Sequence, residues 1–352
     1  MTERPTRIVE PEALRDLMER LLRAAGCTEV NARETAEVFL EADLRGIGLQ
    51  GFDHLFDMLD DIRRGAIDGA GRPEIVKEGP ATALVDGHRG PGQPGGVFAT
   101  DLAIRKAREA GTATIGLVNG ADIYMIGYYT DRMARAGLVG FVYSASSSLV
   151  HPHGGVERKL GTNPIAIAVP TAGADPVLLD MATSILSSSR IRQAAYHGEH
   201  VPPGSGVDIH GQPTTEAAAI DAGAIAPLAG HKGYALGLCV ALLSGPLVGG
   251  EVGSAIDGWH AEEGGQGRRG HLFMAIDPAA FGDVDTFRQS ASAYLDEVRA
   301  SRTAPGVESV RIPGERTFAR RAQSLAEGVE ILEASWKIAA GYAAELGVEM
   351  PA

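Results

Sequence analysis

Cysteine is scarce. Cys27 and Cys239 are the only two in 352 residues, too few and too far apart for a disulfide framework or a cysteine-based zinc site, so a reducing compartment and a cytoplasmic location are expected and no metal is. Positive charge is also in deficit: 32 Lys and Arg stand against 45 Asp and Glu, a net charge of −13. The acids are scattered, which favours solubility and argues against nucleic acid as a partner, because that needs a basic surface to displace counterions. Any site for an anionic ligand must therefore be locally cationic. The first residues, with Glu3, Arg4, Arg7 and Glu10, hold no apolar core segment, so no signal peptide is expected. The uncharged run from Gly233 to Gly250 is broken by Gly245-Pro246 after about three helical turns. That is short for a membrane span and predicts a buried helix. No internal repeat is present.

What remains is a chain with 44% hydrophobic residues, enough for a sizeable core. Apolar spacing predicts helices at Pro11–Ala25, from an Asn31 cap with Glu34 closing the box to Arg45-Gly46, and at Phe52–Arg64. Strands are expected at Ala81–Val85, Thr114–Val118, Leu138–Ser144 and His271–Ile276, with a strand pair at Pro164–Val169 and Pro176–Leu179. Helices are expected at Val97–Glu109, Met125–Ala136, His231–Leu243, Asp285–Arg299, Arg316–Ala326 and Ile331–Leu346, and a surface loop at Gly258–Gly270. The class is α/β with helical ends and a strand-rich middle. Residues 1–80 plus 285–352 are expected as one discontinuous helical domain, and 81–284 as the sheet-rich domain.

Several segments suggest chemistry. Gly90-Pro91-Gly92-Gln93-Pro94-Gly95-Gly96 fits the dinucleotide pattern G-x-G-x-x-G loosely, but Pro91 and Pro94 remove two amide donors and no acid sits at the ribose position, so a structural turn is favoured. Leu179-Asp180-Met181-Ala182-Thr183-Ser184 ends a strand. Asp180 there can orient an imidazole or a nicotinamide amide, and Thr183 and Ser184 offer hydroxyls and amides for phosphate. Gly230-His231-Lys232-Gly233-Tyr234 opens the apolar helix, and cations in a first turn oppose the helix dipole unless an anion sits there. Pro313-Gly314-Glu315-Arg316 places an arginine able to meet phosphate or stack on adenine.

Together with Asp43-Leu44-Arg45-Gly46-Ile47-Gly48-Leu49-Gln50-Gly51, Gly161-Thr162-Asn163-Pro164 and Ala326-Glu327-Gly328-Val329, these segments resemble, in order from about residue 10 to residue 348, those of the malate/L-lactate dehydrogenase-like oxidoreductases. The resemblance implies a non-Rossmann fold with a largely antiparallel central sheet domain that binds NAD(P)H, helical terminal segments packed together, and an intertwined homodimer. It places the cofactor at Thr162, Asp180, Met181, Ala182, Thr183, Ser184, His231, Lys232, Gly314, Glu315 and Arg316. Ser187-Ser188-Ser189-Arg190 departs from the usual Arg-Gly-Lys, and Arg190 keeps NADPH open beside NADH.

Four departures fall where that family does its chemistry. Leu49 and Gln50 stand in place of a serine and the proton-donating histidine. His54 replaces an arginine that grips the substrate carboxylate. Asn119-Gly120-Ala121-Asp122-Ile123-Tyr124 stands where the family has Asn-Ser-x-His-Phe-Gly, so Asp122 replaces a second histidine. His153, in His151-Pro152-His153-Gly154-Gly155, occupies an aromatic position. Glutamine cannot deliver a proton, and histidine is a weak carboxylate clamp at neutral pH. Asp122 with Asp180 would make an acidic pocket suited to an amine or a protonated imine, which needs no acid at the moment of hydride transfer. Three readings follow: reduction of a small cyclic imine or other amine-bearing substrate; the family's 2-oxo or 2-hydroxy acid chemistry with His153 or His54 as replacement acid; or cofactor or ligand binding without redox turnover.

Overall fold

A computed structural model describes residues 5–257 and 268–351. The chain opens with β1 (Thr6–Val9) and α1 (Pro11–Ala24). Pro11 sits in the first turn, where no amide donor is needed, and the Glu10 carboxylate accepts the Ala13 amide at 2.7 Å. α2 (Glu29–Leu44) starts earlier than expected. Its cap is Thr28, whose hydroxyl accepts the Asn31 amide at 3.3 Å, while the buried Asn31 carboxamide donates to the Gly69 and Gly71 carbonyls at 2.8 and 3.0 Å. Asn31 therefore ties a later loop to α2 instead of capping the start of the helix. α3 (Phe52–Arg63) follows after a short turn, Gly48–Gln50.

β2 (Glu74–Glu78), β3 (Thr82–Asp86), α4 (Gly92–Ala110), β4 (Thr112–Val118), α5 (Gly127–Arg135), β5 (Val139–Ser144), β6 (Ile165–Val169) and β7 (Val177–Met181) come next. Gly90 and Pro91 form the expected turn, but from Gly92 on the glycine-rich stretch is the opening of α4 itself. A Cβ at Gly96 would lie 2.5 Å from the Tyr129 ring, so small residues let α4 pack closely on α5. The small elements α6 (Ser188–Tyr196), β8 (Gly206–Val207), β9 (Pro213–Thr214), α7 (Ala217–Ala222) and β10 (Ala224–Ile225) form a side unit with its own apolar cluster around Ile191 and Ile220. Then come α8 (His231–Ser244), α9 (Ser254–Asp257), β11 (Gly270–Ile276), α10 (Val284–Arg299), α11 (Glu315–Glu327), β12 (Val329–Leu332) and α12 (Glu333–Leu346). The surface loop expected over 258–270 lies, as far as residue 267, outside the described residues.

The main sheet has the order β2-β3-β4-β11-β5-β6-β7. Only β3 and β4 pair in parallel; every other neighbouring pair is antiparallel. The sheet thus begins at Glu74, ahead of the expected start at residue 81. Leu14, Leu17, Met18, Leu21 and Leu22 of α1 are fully buried with Phe39, Phe52, Leu55 and Trp336, so α1, α2, α3 and α12 share one core. Burial of each such side chain contributes about 1.5–3 kcal/mol. A second core lies under α4 and α5 against the sheet. β1 pairs antiparallel with β12, Thr6 opposite Leu332 and Val9 opposite Val329, a pairing with no signal in the local pattern.

α8 departs from its expected burial. Leu236, Leu238, Leu242 and Leu243 are exposed along it, and Leu247 just beyond is 62% exposed. Among the described residues no helix is long and apolar enough to cross a membrane.

Candidate active site

A cleft of about 940 Å³ opens where the helical layer meets the sheet, at the upper end of small-molecule sites. One wall is the Gly46–Gln50 turn with α3. Others are the 121–125 segment leading into α5, the chain after β5, the end of β7, the start of α6, and Arg316 on α11. The cleft brings together Gln50, His54, Asp122, Thr162, Asp180, Met181, Ala182 and Arg316. It does not bring in His153, Thr183, Ser184, His231, Lys232, Gly314 or Glu315.

Those outliers have their own surroundings. His153 and His231 pack edge to face with ring centroids 5.9 Å apart at the exposed start of α8, beside the exposed Lys232. The Thr183 hydroxyl donates to the Thr162 and Asn163 carbonyls at 3.0 and 3.2 Å, and that of Ser184 to the Leu186 carbonyl at 2.7 Å. Both side chains are buried, so their hydroxyls brace the loop after β7 instead of facing a phosphate. Gly314 takes φ +102° at the start of α11. The Glu315 carboxylate accepts the Ile312 amide and the Arg299 guanidinium, at 2.8 and 2.7 Å.

His54 is held at both ring nitrogens, Nδ1 by Asp57 at 3.3 Å and Nε2 by the Ser189 hydroxyl at 3.2 Å. From α3, Asp57, Asp60 and Asp61 also line the cleft, since residues three and four apart share a helix face.

Asp122 is not the uncompensated acid that the sequence suggested. Arg269, only 4% exposed, places Nη1 2.7 Å from Asp122 Oδ2 and Nη2 3.2 Å from the Ser147 hydroxyl. Burial alone would raise the Asp122 carboxyl, but Arg269, aided by His271 and the Tyr124 amide, holds it below the usual carboxylate range. Asp122 thus carries a fixed, largely neutralised charge. The reason is three-dimensional: Arg269 lies at the start of β11, whose first residue, Gly270, pairs with Val118 at the end of β4, just ahead of Asp122.

Asp180 behaves oppositely. Its Oδ2 accepts the Gly127 amide at the start of α5 at 2.8 Å. A Cβ at Gly127 would lie 2.7 Å from that oxygen, so only glycine permits the approach. Water in the open cleft reaches Asp180, yet the surrounding walls desolvate it. This burial outweighs the Gly127 bond and the pull of Arg45, and the carboxyl rises to about 6. Three further arginines line the cleft, Arg158, Arg192 and Arg316. Arg158 donates to the Gly223 and Asp221 carbonyls, whereas Arg192 and Arg316 make no hydrogen bond or ion pair among the described residues.

Arg269, Arg192, Tyr124 and the Ser144–His271 pair were missed in the sequence. The only available signals were an arginine beside the buried strand, at Arg269-Gly270-His271, and a tyrosine where the related segment ends in glycine.

Fold and cleft define an enzyme whose site holds a raised carboxyl, an Arg–Asp pair and two arginines without partners among the described residues, built on a mixed sheet unlike the doubly wound parallel kind. The malate/L-lactate dehydrogenase family model matches residues 9–338. The malate/(S)-sulfolactate dehydrogenase of Methanothermus fervidus is 33% identical over 97% of this chain and 99% of its own. The Δ1-pyrroline-2-carboxylate/Δ1-piperideine-2-carboxylate reductase of Pseudomonas syringae pv. tomato is 34% identical over 94% and 95%. The crystal structure of malate dehydrogenase from Entamoeba histolytica superimposes with a TM-score of 0.94 at 26% identity, covering 99% of this chain and 100% of that one. The chain belongs to the malate/L-lactate dehydrogenase family and is an oxidoreductase.

Proposed function

We propose that this oxidoreductase uses a nicotinamide cofactor to reduce a small substrate with a carbon–nitrogen double bond, and that Asp180 carries the proton. The observation that carries this is the contrast between two carboxylates in one cleft. Asp122 is bound by Arg269 at 2.7 Å, whereas Asp180, among the described residues, meets only the Gly127 amide, at 2.8 Å, and desolvation by the cleft walls raises it. Environments that push paired acids apart assign acid and base roles. Gln50 has no titrating group and His153 is not among the residues lining the cleft; His54 lines it but turns Nε2 to the Ser189 hydroxyl, which favours Asp180 as the acid. The acids of α3 favour a cationic ligand over a second anion. The cofactor would supply the hydride. Arg192 and Arg316 would meet its phosphates, with Thr162, Met181 and Ala182 beside it, and the size of the cleft suits a dinucleotide with a small substrate. The apolar face of α8 supports a homodimer in which a second copy covers it.

Fluorescence titration with NADH and NADPH, followed by mixing with cyclic imines and 2-oxo acids, tests this reading. Cofactor oxidation by imines is expected, with turnover falling as pH rises above about 6 and Asp180 loses its proton. Asp180→Asn should cost roughly 10²–10⁴-fold in kcat and remove that limb. Oxidation by 2-oxo acids alone, or full turnover in Asp180→Asn, would overturn it.

A further inference from the structure

Tyr124 lies between Asp122 and α5. Of the non-glycine residues with left-handed φ among the described residues, it is the one that lines the cleft, at φ +55°. Such a conformation costs free energy in any residue with a Cβ, and persists where its surroundings impose it. Here they do. The Tyr124 amide donates to Asp122 Oδ1 at 3.3 Å. The ring is set between Phe39, edge-on at 5.1 Å, and His54 at 5.0 Å. Ring and backbone are fixed, but the hydroxyl makes no hydrogen bond among the described residues. The carboxylates of Asp122, Asp57 and Asp61 act on the phenol, opposed by the guanidinium of Arg269, which neutralises Asp122, while Arg64 pairs with Asp61 at 2.7 Å. Burial and these carboxylates raise the phenol well above its ordinary value, so it stays protonated. The same field stabilises a positive ligand atom beside the oxygen and disfavours an oxyanion there.

We propose that Tyr124 is a catalytic residue that holds the substrate nitrogen: its Oη accepts the N–H of a protonated imine, beside the carboxylates that α3 turns to the cleft. A phenolic oxygen can accept while its own proton remains in place. The proposal rests on the reductase reading and deepens it. The imine nitrogen takes a proton from Asp180, and its single N–H is then shared between the Asp180 carboxylate and Tyr124 Oη. The imine carbon then gains a hydride from the dihydronicotinamide, the π pair of the C=N bond passes to nitrogen, and an amine and oxidised nicotinamide result. Solvent returns the proton to Asp180. No bond of Tyr124 breaks.

The test is calorimetric binding of pipecolate, a cyclic secondary amine protonated at neutral pH, and of cyclohexanecarboxylate, its nitrogen-free analogue, to the NADH-saturated wild type and to Tyr124→Phe. That variant keeps the ring, its packing and the backbone strain. The wild type should prefer pipecolate. Tyr124→Phe should weaken pipecolate about 10-fold or more, as for a hydrogen bond to a charged group, and leave cyclohexanecarboxylate and NADH unchanged. With a cyclic imine substrate the loss should appear in KM more than in kcat. Equal pipecolate affinity in the two proteins, or no preference for nitrogen in the wild type, would overturn the proposal. Selective pipecolate binding lost in Tyr124→Phe, without cofactor oxidation by any imine, would uphold the nitrogen subsite and overturn the reductase reading. Oxidation by 2-oxo acids alone would overturn both.

Discussion

His271 is fully buried on β11, with Nδ1 2.9 Å from the Ser144 hydroxyl. Burial is the main force on it, against the attraction of Asp122, and holds the imidazole down to about 4 from 6.5. The unfolded chain therefore binds this proton before the folded one does, and stability is lost as pH falls from 6.5 towards 4. The loss attributable to this one group is up to roughly 3 kcal/mol. His271→Gln should flatten the pH dependence of urea unfolding in that window, and an unchanged slope would refute this. Legibility in the sequence was uneven at this scale. Asp180, Asp122, Gln50, His54 and Arg316 were found because they sit in ordered segments, and all reach one cleft. Their charge states were not legible, because Asp122 and Arg269 are 147 positions apart. Thr183 and Ser184 look like phosphate ligands in a string of letters, whereas in space their hydroxyls bind neighbouring carbonyls. At Tyr124 the related segment ends in glycine, and the left-handed backbone shows why glycine is natural there.

Helices and strands with a clear period were read within a residue or two, as in α1, α3, β6 and β7, because local spacing alone determines them. β1 and β12 were missed: each is four residues long and exists only through the other. α8 was read correctly as a helix and wrongly as buried, since uniform apolarity does not say what covers it. Between elements, a chain of charges links three helices and the β6–β7 turn. Arg321 of α11 meets Glu41 of α2 at 2.6 Å, and Glu41 meets Arg45 at 3.0 Å. Arg45 meets Asp131 of α5 at 2.6 Å, and Arg135 joins Asp131 to Asp175, at 3.0 and 3.1 Å. Glu41, Arg45 and Asp131 are almost wholly buried. The chain clamps the end of α2, which carries the Gln50 wall, to α5, whose first amide holds Asp180. Asp131→Ala would leave the buried Arg45 to share Glu41 with Arg321, with one positive charge uncompensated, at a cost of about 3–5 kcal/mol. Denaturant unfolding measures it, and a change under 1 kcal/mol would show that the chain adapts.

For the whole molecule, the resemblance anticipated a mostly antiparallel sheet with terminal helices packed together, and the fold agrees. Periodicity alone could not have ordered the strands, because β11 inserts between β4 and β5 from more than a hundred residues downstream. The exposed leucines of α8 form the largest-scale prediction. Sedimentation should find a dimer, and Leu242→Glu, placing charge on a face that a second copy would desolvate, should shift it towards monomer. A monomeric wild type would remove α8 as an interface. The β1–β12 pair has a consequence for how the chain is made. Its two strands close a loop of nearly the whole polypeptide, and the core of α1, α2 and α3 also takes Trp336 and Ala339 from α12. The first helices leave the ribosome early but lack part of their covering until translation is almost finished. They must wait with apolar surface uncovered, so the wall carrying Gln50 is completed last, and slow release or premature termination would expose the newborn chain to chaperone capture and aggregation.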